Sequence, residues 1–106
     1  MKNYLNDMNK KLTFQYLEDT ENQDGSRTQL WKDKTTLWGS ITPLNGKVNP
    51  EYGKLNTTIT HLIIIRFNKN INTNQRILFN NRYFYINFIL NIEEKNKFLE
   101  IYCEEK

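Results

Sequence analysis

Residues 76–92 read RILFNNRYFYINFILNI, two alternating apolar runs on either side of Asn80-Asn81. A two-residue hairpin turn of type I′ holds both central residues at positive φ, which asparagine tolerates best after glycine. The segment therefore predicts a tight antiparallel hairpin. Strand side chains alternate between faces. Phe84, Ile86, Phe88, Leu90 and Ile92 are thus expected on one face of the return strand, with Tyr83, Tyr85 and Asn87 on the other.

The flanking sequence has the same two-residue period. KLTFQYL sets Leu12, Phe14 and Tyr16 against Thr13 and Gln15, and KFLEIYC sets Phe98 opposite Leu99 and Ile101. TQLWKD and TTLWGSIT place Trp31 and Trp38 on strand-like segments, broken by Lys32, Asp33 and Lys34. EDTENQDGSR is polar and holds the turn pair Asp24-Gly25, and NKNINTNQ is a second polar turn. THLIIIRF, residues 60–67, is apolar on both faces: Ile63 and Ile65 lie on one, Leu62 and Ile64 on the other. One pair fills a core. The other makes Leu62 and Ile64 a second-face interface, to be covered by the N-terminal segment, another stretch of chain or a neighbouring copy.

Residues 43–57, beginning PLNGKVNPEYGKLN, concentrate Pro43, Gly46, Pro50 and Gly53. That spacing denies the segment a place inside a sheet and predicts a long loop. Residues 1–11, with Tyr4, Leu5 and Met8 at helical spacing, are the one expected helix, too short to be stable unless docked. Together these elements predict one all-β domain over residues 1–106. Its form is a small antiparallel barrel or sandwich of about six strands, with at most one short N-terminal helix.

A chain of 106 residues with mean hydropathy −0.76 has no run long enough to span a membrane, and MKNYLNDMNKK lacks the apolar stretch of a secretory signal. The net charge of +3 is uneven: +2 over residues 1–16, −2 over 17–34, +5 over 35–92 and −2 over 93–106. A basic middle suits phosphate or an acidic protein surface.

The chemistry is sparse. Cys103 is the single cysteine, so no internal disulfide or multi-cysteine metal site is expected, and a reducing compartment suits it. His61 is the single histidine, which rules out a paired-histidine zinc site. Cys103 on a terminal strand reads as core packing rather than as the thiolate of a Cys–His pair. No glycine-rich phosphate loop occurs. The expectation is no enzyme, no cofactor and no small-molecule substrate. Tyr83 and Tyr85 beside Arg82 could form a stacking platform for a single-stranded nucleic acid in the manner of an OB-fold. The plainer reading is that they close the barrel beside the hairpin.

The order of these features resembles the phage head–tail joining family, the small head-completion or stopper proteins of long-tailed bacteriophages and prophages. The resemblance runs from about Leu12 to Cys103. Its landmarks are LTFQ, Asp24-Gly25, Trp31, LWGSITPLNG, THLIIIRF with Thr60, His61 and Arg66, Ile71, Arg76-Ile77, NNRYFYI and LEIYCEE. Two departures stand out. Asn80-Asn81 replaces a turn that often ends in glycine, and Lys47 replaces the usual acid after the loop glycine. The resemblance implies a non-enzymatic β-barrel of the virion, assembled in the host cytoplasm. It would dock as a ring under the portal and adaptor proteins, self-associate there, and close the head above a tail-completion protein. It also implies that residues 43–57 reach the channel and meet packaged double-stranded DNA, with Pro43, Leu44, Asn45, Gly46, Lys47, Val48 and Lys54 as channel or ring contacts. A tail-completion or terminator protein, or an OB-like single-strand binder, is the alternative.

Overall fold

Six strands carry most of the residues that the computed structural model describes, 7–44 and 59–106. They are β1 (Lys10–Glu21), β2 (Arg27–Pro43), β3 (His61–Arg66), β4 (Arg76–Phe79), β5 (Arg82–Asn91) and β6 (Phe98–Glu105). All neighbours pair antiparallel, and the sheet closes as a barrel in the order β1-β2-β3-β6-β5-β4. The expected hairpin is β4–β5. Asn80 (φ 52°) and Asn81 (φ 61°) both take the left-handed conformation that its turn requires.

The barrel interior is filled from every strand. Leu12, Phe14, Ile63, Ile65, Ile77, Phe84, Ile101 and Cys103 are fully buried, and each large apolar side chain contributes about 1.5–3 kcal/mol by leaving water. Ile71, from the segment between β3 and β4, joins this cluster. Gly39 on β2 is where strands approach too closely for a side chain. A Cβ there would lie 2.7 Å from the Ile64 carbonyl oxygen and 2.8 Å from Leu12 Cδ1.

Three expectations need correction. The first is the facing of β5. Its register with β6 passes from Ile86↔Cys103 to Phe88↔Tyr102, which leaves Asn87 as a bulge residue. A bulge inserts one residue and reverses the parity of everything beyond it. Phe84 and Ile86 face inward as expected, but Ile89, opposite Ile101, packs on the core in place of Phe88. Phe88 stacks outside on Tyr102, with centroids 4.6 Å apart and planes at 14°.

The second is the extent of β1 and β2. Lys32, Asp33 and Lys34 do not break β2, which continues through them with a bulge where Phe14↔Thr35 gives way to Gln15↔Asp33. β1 likewise runs on through Glu18, Asp19 and Glu21. The turn is confined to the residues around Asp24-Gly25. Gly25 sits at φ 87°, its N–H donating to the Asn22 carbonyl at 3.0 Å. Polar residues serve here because β4 pairs with β1 only at Thr13, Phe14 and Gln15. Past Gln15 the two strands form an arm exposed on much of both faces, about 20 Å long for six residues at about 3.3 Å each.

The third is the start of the long loop. Pro43 is the last residue of β2, opposite His61, and the Leu44 N–H donates to the Thr60 carbonyl at 2.8 Å. Proline is tolerated at a strand end, where it gives up no interior ladder bond. Asn45, Gly46, Lys47, Val48 and Lys54 lie outside the described residues, as does most of the expected N-terminal helix. Lys10 and Lys11 already belong to β1.

Candidate functional site

The loop-bearing end of the barrel gathers the start of β3, the β4–β5 turn and the end of β6. Its centre is His61, 8% exposed, with its ring edge-on to Phe84 at 4.9 Å. His61 Nδ1 lies 2.8 Å from Thr60 Oγ1, and Arg82 Nη2 approaches His61 Nε2 at 3.4 Å. Because the guanidinium can only donate, Nε2 is the acceptor and Nδ1 carries the proton toward Thr60. Thr60 Oγ1 also accepts the Glu105 N–H at 2.8 Å. Arg82 grips Glu105 through two bonds, Nε–Oε2 at 2.8 Å and Nη2–Oε1 at 2.9 Å. Burial holds the His61 pKa below its ordinary value despite Glu105 nearby, and the Arg82 hydrogen bond lowers that of Glu105. The cluster locks the two edges of the loop mouth to the β4–β5 hairpin. Sequence pattern left it unassembled, although Thr60, His61 and Arg82 each stood among the landmark residues.

Cys103 lies directly opposite His61, yet the pair is not nucleophilic. The thiol donates to the His61 carbonyl at 3.5 Å, and burial pushes its pKa up to about 12. A thiol so held stays protonated, and the imidazole is turned toward Thr60 and Arg82 instead.

Leu62 and Ile64 share the outer face of β3. Ile64, between Ser40 on β2 and Glu100 on β6, is only 4% exposed within the single chain. It lines a cleft of about 310 Å³ together with Asp7, Asn9 and Lys10, so the N-terminal approach to β1 lies beside it. Leu62 is half-buried between Thr42 and Tyr102.

Tyr83 and Tyr85 point outward, but their faces are taken. The Arg76 guanidinium sits 4.0 Å from the Tyr83 ring centroid and 4.4 Å from that of Trp31, and Trp31 meets Tyr85 edge-on at 5.9 Å. Arg76 donates to Tyr85 Oη at 2.9 Å and to Gln15 Oε1 at 2.7 Å, and Gln15 Nε2 donates to Asp33 Oδ1 at 2.8 Å. These rings anchor the base of the arm to β4 and β5. They are not a vacant stacking platform. Arg76, read from sequence only as one landmark among many, is the residue that joins the three aromatics.

Among the described residues no group of three His, Cys, Asp or Glu side chains is placed to hold a metal, and no helix is long and apolar enough to cross a membrane. The architecture and its polar mouth agree with what known proteins show. A family model described as phage head completion protein matches residues 5–106. The fold is similar to the solution structure of protein SF1141 from Shigella flexneri 2a, with TM-score 0.71, 25% identity, and 92% of each chain covered. It is also similar to a chain in the virion of a native gene transfer agent particle, with TM-score 0.67 and 19% identity over 92% of this chain and 94% of that one. No curated protein sequence matches the chain.

Proposed function

The chain belongs to the phage head completion protein family, and from that premise we propose that it is the connector subunit that closes the DNA-filled head. As a head structural protein it works by fit rather than by chemistry. On this reading residues 1–106 form one head–tail joining domain, with 1–11 as an extension and 43–57 as the channel loop. Copies dock as a ring beneath the portal or its adaptor, at the head–tail interface of the virion, and offer the tail-completion protein its platform.

The observation that carries this reading is the pinning of the loop. Both ends of the segment between Leu44 and Thr60 leave one mouth of a closed barrel, joined by the Leu44–Thr60 hydrogen bond and backed by the Thr60–His61–Arg82–Glu105 cluster. A segment held so firmly at its base can project from a ring without loosening the subunit. Lys47 and Lys54 would then repeat around the channel and face DNA phosphate.

The test is charge reversal of both lysines, Lys47→Glu with Lys54→Glu. The isolated subunit should melt as the parent does, because exposed charges contribute little to stability. Mutant particles should leak DNA or lack tails. Full, tailed particles at the parental rate from a normally folded double variant would remove the channel role. Full heads without tails would favour a tail-completion role over head closure.

A further inference from the structure

Two surfaces near the arm end of the barrel are left over by this account, and they are complementary. One is the arm itself. Between Glu18 and Arg27 it carries four carboxylates (Glu18, Asp19, Glu21 and Asp24) against one guanidinium, Arg27, which is already paired with Asp19 at 2.9 Å. Leu30, opposite Glu18 and 53% exposed, lies on the arm face turned away from Trp31 and its barrel anchor. A leucine held open beside a carboxylate, on two strands with no third strand to cover them, is poor design for an isolated surface.

The other surface is on β2 and β3. Trp38 is 57% exposed and Phe67 38%, the former with the Lys11 ammonium 5.7 Å from its ring. Two adjoining clefts share Arg66 and Phe67. The first, about 240 Å³, adds Trp38 and Leu37, and the second, about 410 Å³, adds Lys97 and Phe98. No carboxylate lines either cleft, and Arg66 has no acidic partner among the described residues. Tryptophan and arginine side by side are the residue types that dominate binding energy at protein interfaces.

Resting on the ring reading above, we infer that the arm of one copy seats on the Trp38–Phe67 face of the next, head to tail. Leu30 enters beside Trp38 and Phe67, while Glu18, Glu21 and Asp24 meet Lys11, Arg66 and Lys97. The occupant is a second copy of this chain because both halves of the complementary pair are on every subunit. Two different patches in contact make a heterologous interface, which closes into a ring when the rotation allows. Opposite charges set the register of such contacts, and an apolar anchor supplies the affinity.

A charge-swap cycle tests it. The parent, Glu18→Lys with Glu21→Lys, Arg66→Glu with Lys97→Glu, and the four-site combination are compared by sedimentation equilibrium at low salt and high protein concentration, beside circular dichroism for folding. Weak self-association is expected for the parent. Either reversal alone should weaken it by about tenfold or more, and the combination should regain it. A parent that stays monomeric, single reversals without effect, or a combination that fails to recover while folded would each overturn the inference. So would salt-sensitive binding of the parent to duplex DNA that is lost on reversal of Arg66 and Lys97 alone, since the patch would then serve nucleic acid. Mass spectrometry of purified particles separates this from the parent reading. A chain absent from particles sinks the head-protein role, whereas a chain present without the swap behaviour sinks only the arm contact.

Discussion

His61 shows how one buried side chain ties stability to pH. Its pKa is depressed by burial from an ordinary 6.5, so the unfolded chain takes up this proton before the folded one. Its contribution is complete above pH 6.5 and declines as the pH falls toward the folded value. Glu105, held low by the Arg82 hydrogen bond, adds a second loss below its ordinary 4.5. Thermal melts taken across pH 6.5 should show the midpoint falling on the acid side, and His61→Gln should flatten that first phase while leaving the second. Gly39 makes a simpler prediction. A methyl group 2.7 Å from the Ile64 carbonyl must push β2 away from β3, so Gly39→Ala should cost about 1–3 kcal/mol in a urea titration. Arg76→Ala removes the cation held against Trp31, Tyr83 and Tyr85 and strands the Gln15–Asp33 pair. A quenched or shifted tryptophan emission with the barrel still folded is its expected signature.

At the scale of strands, the β4–β5 turn offers a gain. Asn81 adopts φ 61°, which glycine reaches without strain, so Asn81→Gly should be neutral or should raise stability by up to about 1 kcal/mol in the same titration. That hairpin was legible because two asparagines flanked by alternating apolar runs admit few other turns. The Asn87 bulge inside it was not, since a chain with apolar residues on both sides of the bulge reads alike in either parity. What decides the parity is the pairing of Ile89 with Ile101, a contact from a strand ten residues away in sequence. The arm was hidden for the opposite reason. Strands that bury little need no apolar period, so Glu18, Asp19 and Thr20 looked like loop. The polar cluster at the loop mouth required knowing that β3 and β6 are neighbours. Because Glu18 and Leu30 are directly paired, joining them by Asn-Gly in place of residues 19–29 should leave the barrel folded, with a melting midpoint close to the parent's.

Taken whole, the molecule is a closed sheet with one open extension, and closure leaves little edge for chance pairing. The purified chain should therefore run as a monomer or weak oligomer at micromolar concentration, and light scattering that finds a stable ring without partners would contradict this. The weak arm contact and a monomeric resting state are compatible, because a ring closes each such contact twice per subunit only when a template holds the copies together. The pinned base of the loop also has a mechanical meaning. Tension on the segment between Leu44 and Thr60 pulls β2 and β3 together along their own axes. It cannot peel them apart one rung at a time. Resistance falls to the outer seams, β3 against β6 over the six pairs from His61 to Arg66 and β2 against β1, loaded in shear so that many hydrogen bonds must yield at once. Pulled through a handle in that loop, the subunit should rupture at a higher force than when pulled through the tip of its arm, where the strands unzip singly from Glu21 and Arg27.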